Sequence, residues 1–193
     1  MLFALLVIGG YLAGSVPFGV LLTRWLTGTD PREAGSGNIG ATNVARVAGK
    51  KLGVVVLLLD AGKGALPVGV ATFVAPGEPW VHAAVGLAAF LGHVFPPWLR
   101  FKGGKGVATA LGVLVVLLPL SALFGFLVFA AIFAALRVSS IGSLAGATVA
   151  VASSFFLHRP LEYSLLAFTL LLMMLYTHRA NLGRIVKRTE PKL

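Results

Sequence analysis

A short segment in the first quarter of the chain combines closely spaced glycines with small polar side chains and an arginine. Residues 35–46 read GSGNIGATNVAR, and their hydroxyl and amide groups come from Ser36, Asn38, Thr42 and Asn43. Glycines allow backbone N–H groups to approach an anion, and the Arg46 guanidinium can bind a phosphate through two parallel hydrogen bonds. The segment therefore predicts a phosphate site. The alternative is a flexible basic loop that lies beside anionic lipid headgroups.

A second glycine-rich segment carries a lysine. Residues 92–109 read GHVFPPWLRFKGGKGVAT, in which Lys105 stands between glycines. A helix predicted to begin at Val107 would place its N-terminus beside the lysine ammonium, and both attract phosphate. Alternatively, Lys102 and Lys105 only set the membrane topology, while Trp98 is an interfacial anchor.

Neither segment predicts nucleotide binding. The first contains G-x-G-x-x-G, but a dinucleotide fingerprint needs a preceding strand, and here an apolar run typical of a membrane helix precedes it. The second lacks the P-loop pattern, because Gly106 stands where Ser or Thr is required.

A third group of polar residues lies near the C-terminus. His178, Asn181 and Arg184 are three residues apart, so on a helix they share a face. This stripe suits a phosphate or a carbonyl group. An equally good interpretation is a basic helix end that only completes the topology.

Two other groups have structural alternatives. Asp60 and Lys63 lie within an apolar run, where ionisable residues are costly and usually paired; they predict an ion pair that supports the first two loops, rather than catalysis. A serine cluster could face the ligand or cap a helix; it comprises Ser139, Ser140 and Ser143. The GxxxG pattern at 142–146 predicts helix packing.

The elements that position these residues must be membrane helices. Of the 193 residues, 58% are hydrophobic and only 11% are charged, whereas soluble domains carry about 25% charge. The net charge of +10 does not indicate a nucleic-acid partner, because nucleic-acid binders carry their charge on a polar surface. The absence of cysteine excludes disulfides and thiolate metal sites.

We predict an all-α integral membrane protein with seven transmembrane helices. A 30-residue stretch without charge, 107–136, would form a helix of about 45 Å, too long for one upright span, so we expect a turn at Pro119. The first 23 residues lack Lys and Arg, which predicts a permanent span rather than a signal peptide. The other expected spans are Leu52 to Ala75, Trp80 to Leu99, Val138 to Leu157 and Tyr163 to Thr177.

The positive charges set the predicted orientation. With seven spans, 14 of the 16 Lys and Arg residues fall on one side, Arg159 alone on the other, and Lys63 within a span. Basic residues concentrate in cytoplasmic loops, so the N-terminus is expected outside and the C-terminus in the cytoplasm. Residues 1–193 then form one membrane domain with active-site loops at about 27–51, 97–106, 137–143 and 178–193.

Together these segments resemble the bacterial membrane acyltransferases that transfer an acyl group from acyl phosphate to glycerol 3-phosphate (PlsY type). The matching stretches are SGNIGATNVAR at 36–46, DAGKG at 60–64, GHVFPPWLRFKGGKGVAT at 92–109 and HRANLGR at 178–184. They follow one another in order and span essentially the whole chain.

The resemblance implies transfer of an acyl group from acyl phosphate to the 1-hydroxyl of sn-glycerol 3-phosphate in the bacterial cytoplasmic (inner) membrane. It assigns catalytic roles to Ser36, Arg46, Lys105, Ser143, His178 and Asn181. It assigns substrate contacts to Asn38, Thr42, Asn43 and His93, and glycerol 3-phosphate binding to Lys102, Gly103, Gly104 and Gly106; the C-terminal stripe adds Arg184. We expect a monomer in contact with membrane lipid, without a nucleic-acid partner.

We expect direct transfer without a covalent intermediate, because acyl phosphate already carries a good leaving group. His178, Asn181 and Ser143 would orient the donor and stabilise the oxyanion; the general base is His178 or a phosphate oxygen of the donor. Neither metal nor cofactor is expected, since cationic side chains can neutralise the phosphates.

Three other function classes are less well supported. The H-x-x-x-x-D signature of another acyltransferase class fails at each of the four histidines. An alternating-access anion transporter needs polar groups on both sides, but the predicted outer loops carry only Arg159 as a cation. A structural subunit without chemistry would require that the inner loops bind only headgroups.

Overall fold

The computed structural model describes residues 1–157 and 159–193, and all regular structure in these residues is helical. An all-α fold is therefore confirmed for this part of the chain. It contains ten α-helices and one 3₁₀ turn, Pro97–Leu99. The α-helices are α1 (Leu2–Gly14), α2 (Phe18–Thr27), α3 (Ala41–Ala48), α4 (Lys50–Val74), α5 (Pro79–Val94), α6 (Val107–Leu117), α7 (Pro119–Leu136), α8 (Ser139–Phe156), α9 (Leu161–Thr177) and α10 (Arg179–Val186).

Among the described residues, five helical segments are long and apolar enough to cross a membrane: Leu2–Thr27, Lys50–Val74, Pro79–Leu99, Pro119–Leu136 and Ser139–Phe156. A sixth is the pair α9 and α10, which is bent by 60°. The remaining apolar helix, α6, has 11 residues and is about 16 Å long, roughly half the thickness of a hydrocarbon core. The predicted count of seven therefore depends on α6.

Prolines set several helix boundaries. The predicted interruption of 107–136 at Pro119 is confirmed, since α6 ends at Leu117 and α7 begins at Pro119, where a missing N–H costs no helical hydrogen bond. Two differences from the predicted spans have the same cause. Pro17 separates α1 from α2, and α5 ends at Val94, ahead of Pro96 and Pro97, because proline cannot donate to the preceding turn. The predicted outer turn at 158–160 begins outside the described residues.

The chain divides into two compact units, Met1–Val113 and Leu114–Leu193, called here the N-terminal and C-terminal units. In the N-terminal unit, α1 packs along α5, and α4 contacts α1, α3 and α5. Small residues allow this close packing: a Cβ at Gly14 would collide with the backbone of Ala89, and one at Gly112 with the backbone of Ala61.

The C-terminal unit is built on the pair α7 and α8, with α9 against α8. Gly125 and Gly146 face each other's backbones, and a Cβ on either would collide with the other helix. Gly142 lies against Phe129. The predicted packing role of the GxxxG pattern is confirmed.

Large apolar side chains remain on the outside of both units. Phe73 and Phe156 are 86% and 80% exposed, and Leu66 is 71% exposed. Water-soluble proteins rarely leave such apolar surface uncovered, whereas lipid covers it in an integral membrane protein. Trp98, the predicted interfacial anchor, is also exposed, and its indole N–H donates to Ser15 Oγ at 2.8 Å.

Candidate active site

The loop between α2 and α3 is organised by one buried side chain, that of Asn43. Its Oδ1 accepts the N–H of Ser36 at 2.8 Å, and its Nδ2 donates to the carbonyl oxygens of Pro31 and Asn38 at 2.7 and 2.8 Å. Asn43 is 2% exposed. Because both ends of its amide are used within the loop, Asn43 shapes the loop; its predicted contact with substrate stays a prediction.

The helix that follows this loop carries a cation without a partner among the described residues. Arg46 lies on α3 and is partly exposed, and no described residue forms a hydrogen bond or ion pair with its guanidinium. The exposed Ser36 lies in the same loop, and Thr42 is in the first turn of α3. Asn38 Oδ1 accepts the Gly40 N–H at 2.8 Å, which fixes the start of α3. The segment can therefore offer an uncompensated charge to an anion.

A second charge cluster in this loop was not found by sequence analysis. Asp30, 6% exposed, accepts hydrogen bonds from Arg32 Nη2 at 2.6 Å and Arg24 Nη2 at 2.5 Å. Hydrogen bonds from Arg32, opposed by burial, hold the pKa of the Asp30 carboxyl well below its usual range. The available signal was an acidic residue between two arginines, in a chain with only six acidic residues.

The predicted ion pair within α4 is confirmed. Lys63 Nζ lies 2.7 Å from Asp60 Oδ1 and donates to the carbonyl oxygen of Val16 at 2.7 Å. His93 is buried beside this pair, with Nδ1 3.8 Å from Asp60 Oδ1, which is too long for a hydrogen bond. The pair thus lies beneath the second loop.

His93 contacts the glycine-rich loop directly. The N–H groups of Gly103 and Gly104 donate to the carbonyl oxygens of Val94 and His93 at 3.0 and 3.1 Å. A Cβ at position 104 would collide with the His93 imidazole. Through these contacts His93 supports the loop from inside; its predicted contact with substrate stays a prediction.

The backbone of this loop requires glycine immediately before α6. Gly106 has a φ of +82°, and a Cβ there would also collide with the Phe90 ring. Lys105 is partly exposed and Lys102 is exposed. As predicted, α6 begins at Val107, so the lysine between the glycines directly precedes a helix N-terminus.

In the C-terminal unit, His178 lies at the junction of α9 and α10 and is 2% exposed. Its Nδ1 lies 2.8 Å from the carbonyl oxygen of Met174. A carbonyl oxygen only accepts, so Nδ1 carries the hydrogen, and in the neutral ring Nε2 is then an acceptor. This tautomer is the one a general base acting through Nε2 requires.

The serines have separate partners. Ser143 Oγ donates to the carbonyl oxygen of Ser139 at 2.7 Å, and Ser140 Oγ donates to Glu190 Oε1 at 2.8 Å. No serine side chain caps the start of α8. Because a hydroxyl has one hydrogen, Ser143 in this conformation offers lone pairs, rather than a donor, to a ligand.

Two residues of the predicted stripe converge on a carboxylate that sequence analysis missed. Asn181 Nδ2 donates to Glu190 Oε1, and Arg184 Nε donates to Glu190 Oε2 at 2.7 Å. Burial raises the pKa of Glu190, but hydrogen bonds from Asn181, Arg184 and Ser140 outweigh it, so the pKa is lowered overall. Glu190 is the one acidic residue among residues 178–193, which was the only available signal.

Comparisons with known proteins all point to one family. The family model for glycerol-3-phosphate acyltransferase matches residues 4–188. A glycerol-3-phosphate acyltransferase of Myxococcus xanthus (strain DK1622) is 63% identical over 185 residues, covering 96% of this chain and 96% of that protein.

Two crystal structures of PlsY (YgiH), an integral membrane glycerol 3-phosphate acyltransferase, are also similar. The glycerol 3-phosphate form has a TM-score of 0.96 and 41% sequence identity, covering 100% of this chain and 96% of that chain. The lysophosphatidic acid form has a TM-score of 0.93 and 39% identity, with the same coverage.

Proposed function

Because the chain belongs to the glycerol-3-phosphate acyltransferase family, we propose that it transfers an acyl group from acyl phosphate to the 1-hydroxyl of sn-glycerol 3-phosphate. The products are 1-acylglycerol 3-phosphate and inorganic phosphate. The observation that carries this proposal is the guanidinium of Arg46 on α3, which pairs with no described residue and follows a loop whose Asn43 amide is already satisfied. The glycerol 3-phosphate form of the similar structure supports this choice of substrate.

In the N-terminal unit, Arg46 and Lys105 neutralise substrate phosphate. Arg46 does so through its two-pronged guanidinium, and Lys105 through an ammonium beside the N-terminus of α6. Neutral hydrogen bonds come from Ser36, Asn38 and Thr42, the exposed Lys102 ammonium adds a further charge, and the backbone at Gly106 completes the binding. The N–H groups of Gly103 and Gly104 already donate within the loop, so these two glycines act by shaping it. Asn43 and His93 hold the two loops in shape.

In the C-terminal unit, His178 and Ser143 orient the reacting groups. The acyl carbonyl is attacked directly by the glycerol hydroxyl, because acyl phosphate carries its own leaving group and needs no enzyme nucleophile. The proton of the attacking hydroxyl goes to His178 Nε2 or to a phosphate oxygen of the donor. The C–O bond to phosphate breaks, and inorganic phosphate leaves.

Reconstitution tests the reaction. Purified protein in phosphatidylcholine vesicles is given a long-chain acyl phosphate, and phosphate release is measured with and without glycerol 3-phosphate. We expect release that depends on glycerol 3-phosphate, no product when acyl-CoA replaces acyl phosphate, and intersecting lines when both substrates are varied. Acyl transfer from acyl-CoA alone would make the proposed donor wrong. Uptake of glycerol 3-phosphate into the vesicles without product would indicate a transporter, and parallel lines would indicate a covalent intermediate.

We further propose seven spans in the bacterial cytoplasmic membrane, with the C-terminus in the cytoplasm and α6 as the shortest span. Single cysteines at the exposed positions Thr29, Lys102, Arg188 and Glu78 test this with a membrane-impermeant thiol reagent. We expect the first three to be labelled only from the cytoplasmic side and the cysteine at 78 only from outside. Labelling of positions 102 and 188 from opposite sides would contradict the seven-span count.

A further inference from the structure

The segment that follows α10 returns to the C-terminal unit through a single carboxylate. Glu190 receives hydrogen bonds from Ser140 Oγ, Asn181 Nδ2 and Arg184 Nε. Its side chain is 9% exposed, and Ser140 and Asn181 are 2% and 5% exposed. The N–H of Leu193 also donates to the carbonyl oxygen of Arg137 at 3.0 Å. The carboxylate is thus part of the packed unit.

An ionised carboxylate only accepts hydrogen bonds, so the atom of Asn181 that faces Glu190 must be the NH₂ group. The other end of the amide, Oδ1, is then turned away from the carboxylate. No described residue donates a hydrogen bond to Asn181 Oδ1. The side chain therefore keeps the Oδ1 acceptor for a ligand, together with the one Nδ2 hydrogen that Glu190 does not use.

We propose that Glu190 is a positioning residue that fixes the Asn181 amide so that Oδ1 accepts a hydrogen bond from a hydroxyl of the glycerol moiety. This inference rests on the proposed function. Of the two substrates, glycerol 3-phosphate carries hydroxyl donors, whereas the oxygens of ionised acyl phosphate only accept. Asn181 accordingly contacts the acyl acceptor substrate through Oδ1, in addition to the oxyanion role that the sequence predicts for it.

The same cluster gives Arg184 a structural role. Its Nε–H is used by Glu190, and the carboxylate compensates its charge. Arg184 therefore holds Glu190 in place, and its predicted direct contact with substrate is not needed to explain its position.

Exchanging the carboxylate of position 190 with the amide of position 181 tests the proposal. In Glu190→Gln the neighbour of Asn181 can both donate and accept, so the amide orientation is no longer imposed. We expect KM for glycerol 3-phosphate to rise about 5- to 10-fold, the worth of one hydrogen bond, with KM for acyl phosphate unchanged. Asn181→Asp alone places two carboxylates beside each other, and we expect it to raise KM for glycerol 3-phosphate further.

The double variant N181D/E190Q restores the proposed arrangement with the groups exchanged. The NH₂ group of the glutamine introduced at position 190 can donate to one oxygen of the carboxylate introduced at position 181, which leaves the other oxygen as an acceptor for substrate. We expect KM for glycerol 3-phosphate within about 2-fold of wild type. Glu78→Gln, at an exposed position, is the matched control and is expected to leave both KM values unchanged.

Each other result decides against the proposal. A lower KM for glycerol 3-phosphate in Glu190→Gln would mean that the carboxylate competes with substrate. Equal changes in both KM values, or no rescue in the double variant, would mean a role in stability alone. If Glu190→Gln does not fold, Glu190→Ala in the full chain removes the carboxylate and must show the same selective rise in KM. An inactive wild-type protein would instead contradict the proposed function.

Discussion

Two arginines of the candidate site, Arg46 in the N-terminal unit and Arg184 in the C-terminal unit, differ in whether a carboxylate compensates their charge. In the first, Asn43 satisfies the loop backbone and no described residue pairs with Arg46. In the second, Glu190 pairs with Arg184 at 2.7 Å. A cation without a counter-ion is ready to bind an external anion, whereas a paired one must first lose its partner. The number of basic residues near a site therefore says little about which of them bind phosphate.

The N-terminal unit also contains the opposite extreme, a fully buried pair. Asp60 and Lys63 have side-chain exposures of 3% and 4%, against 9% and 37% for Glu190 and Arg184. The two pairs differ in how well solvent can compensate the remaining charge when one partner is removed. This difference orders the expected effects of substitution.

The largest expected effect is on stability, from Asp60→Asn. It leaves the Lys63 ammonium buried without a counter-charge, which typically costs about 3–5 kcal/mol. Thermal unfolding of the purified protein in detergent measures the loss. The double variant D60N/K63M removes both charges and should be closer to wild type than D60N alone. Equal stability of D60N and wild type would show that the pair contributes nothing.

Next is Arg46→Ala, which affects activity rather than stability. Loss of a charged hydrogen bond to phosphate costs about 1.5–3 kcal/mol, or roughly 10- to 150-fold in kcat/KM. Arg46→Lys should recover only part of this, because the two-pronged contact is lost. Arg179→Ala is the control, since Arg179 is exposed and stacks on Tyr176. Normal kinetics in folded Arg46→Ala protein would remove Arg46 from the site, and the same test applies to Lys105→Ala.

Gly104→Ala tests whether the second loop depends on His93. The new methyl group would collide with the imidazole, and such overpacking costs about 1–3 kcal/mol. We expect a lower Tm together with a lower kcat/KM, because Lys105 moves with the loop. Gly62→Ala in α4, where a Cβ meets nothing within 4 Å, is the matched control. Identical behaviour of the two variants would show that the loop does not rest on His93.

The smallest expected effect comes from Asp30, whose arginine partners are 55% and 37% exposed at the side chain. Solvent screens such pairs, so Asp30→Asn should cost up to about 1 kcal/mol at neutral pH. The folded-state pKa of Asp30 is depressed, so its stabilisation is present above the unfolded-state pKa of about 3.9 and is lost as pH falls below it. The difference in Tm between wild type and Asp30→Asn should therefore shrink below about pH 4. A difference independent of pH would contradict this assignment.

Much of the candidate site could be predicted from local sequence, because its chemistry is local. Glycines beside Arg46 and Lys105 predict anion binding from a few neighbouring residues, and the structure places Arg46 on α3 and Lys105 just before α6, both partly exposed. The ion pair of Asp60 and Lys63 followed from their spacing within one helix. Asp30 and Glu190 were missed, since nothing in their immediate neighbours shows that they are buried.

Composition and proline positions were enough to establish the membrane class, the helical fold of the described residues and the break at Pro119, because they act through solvent and backbone geometry alone. The order of the motifs also carried the family resemblance. What each polar group has left to offer depends instead on packing. Asn43 is used within its loop, Arg184 is compensated by Glu190, and Asn181 keeps its oxygen free of described donors. Donors and acceptors are shared between residues distant in sequence, so the folded arrangement determines which of them remain for a substrate.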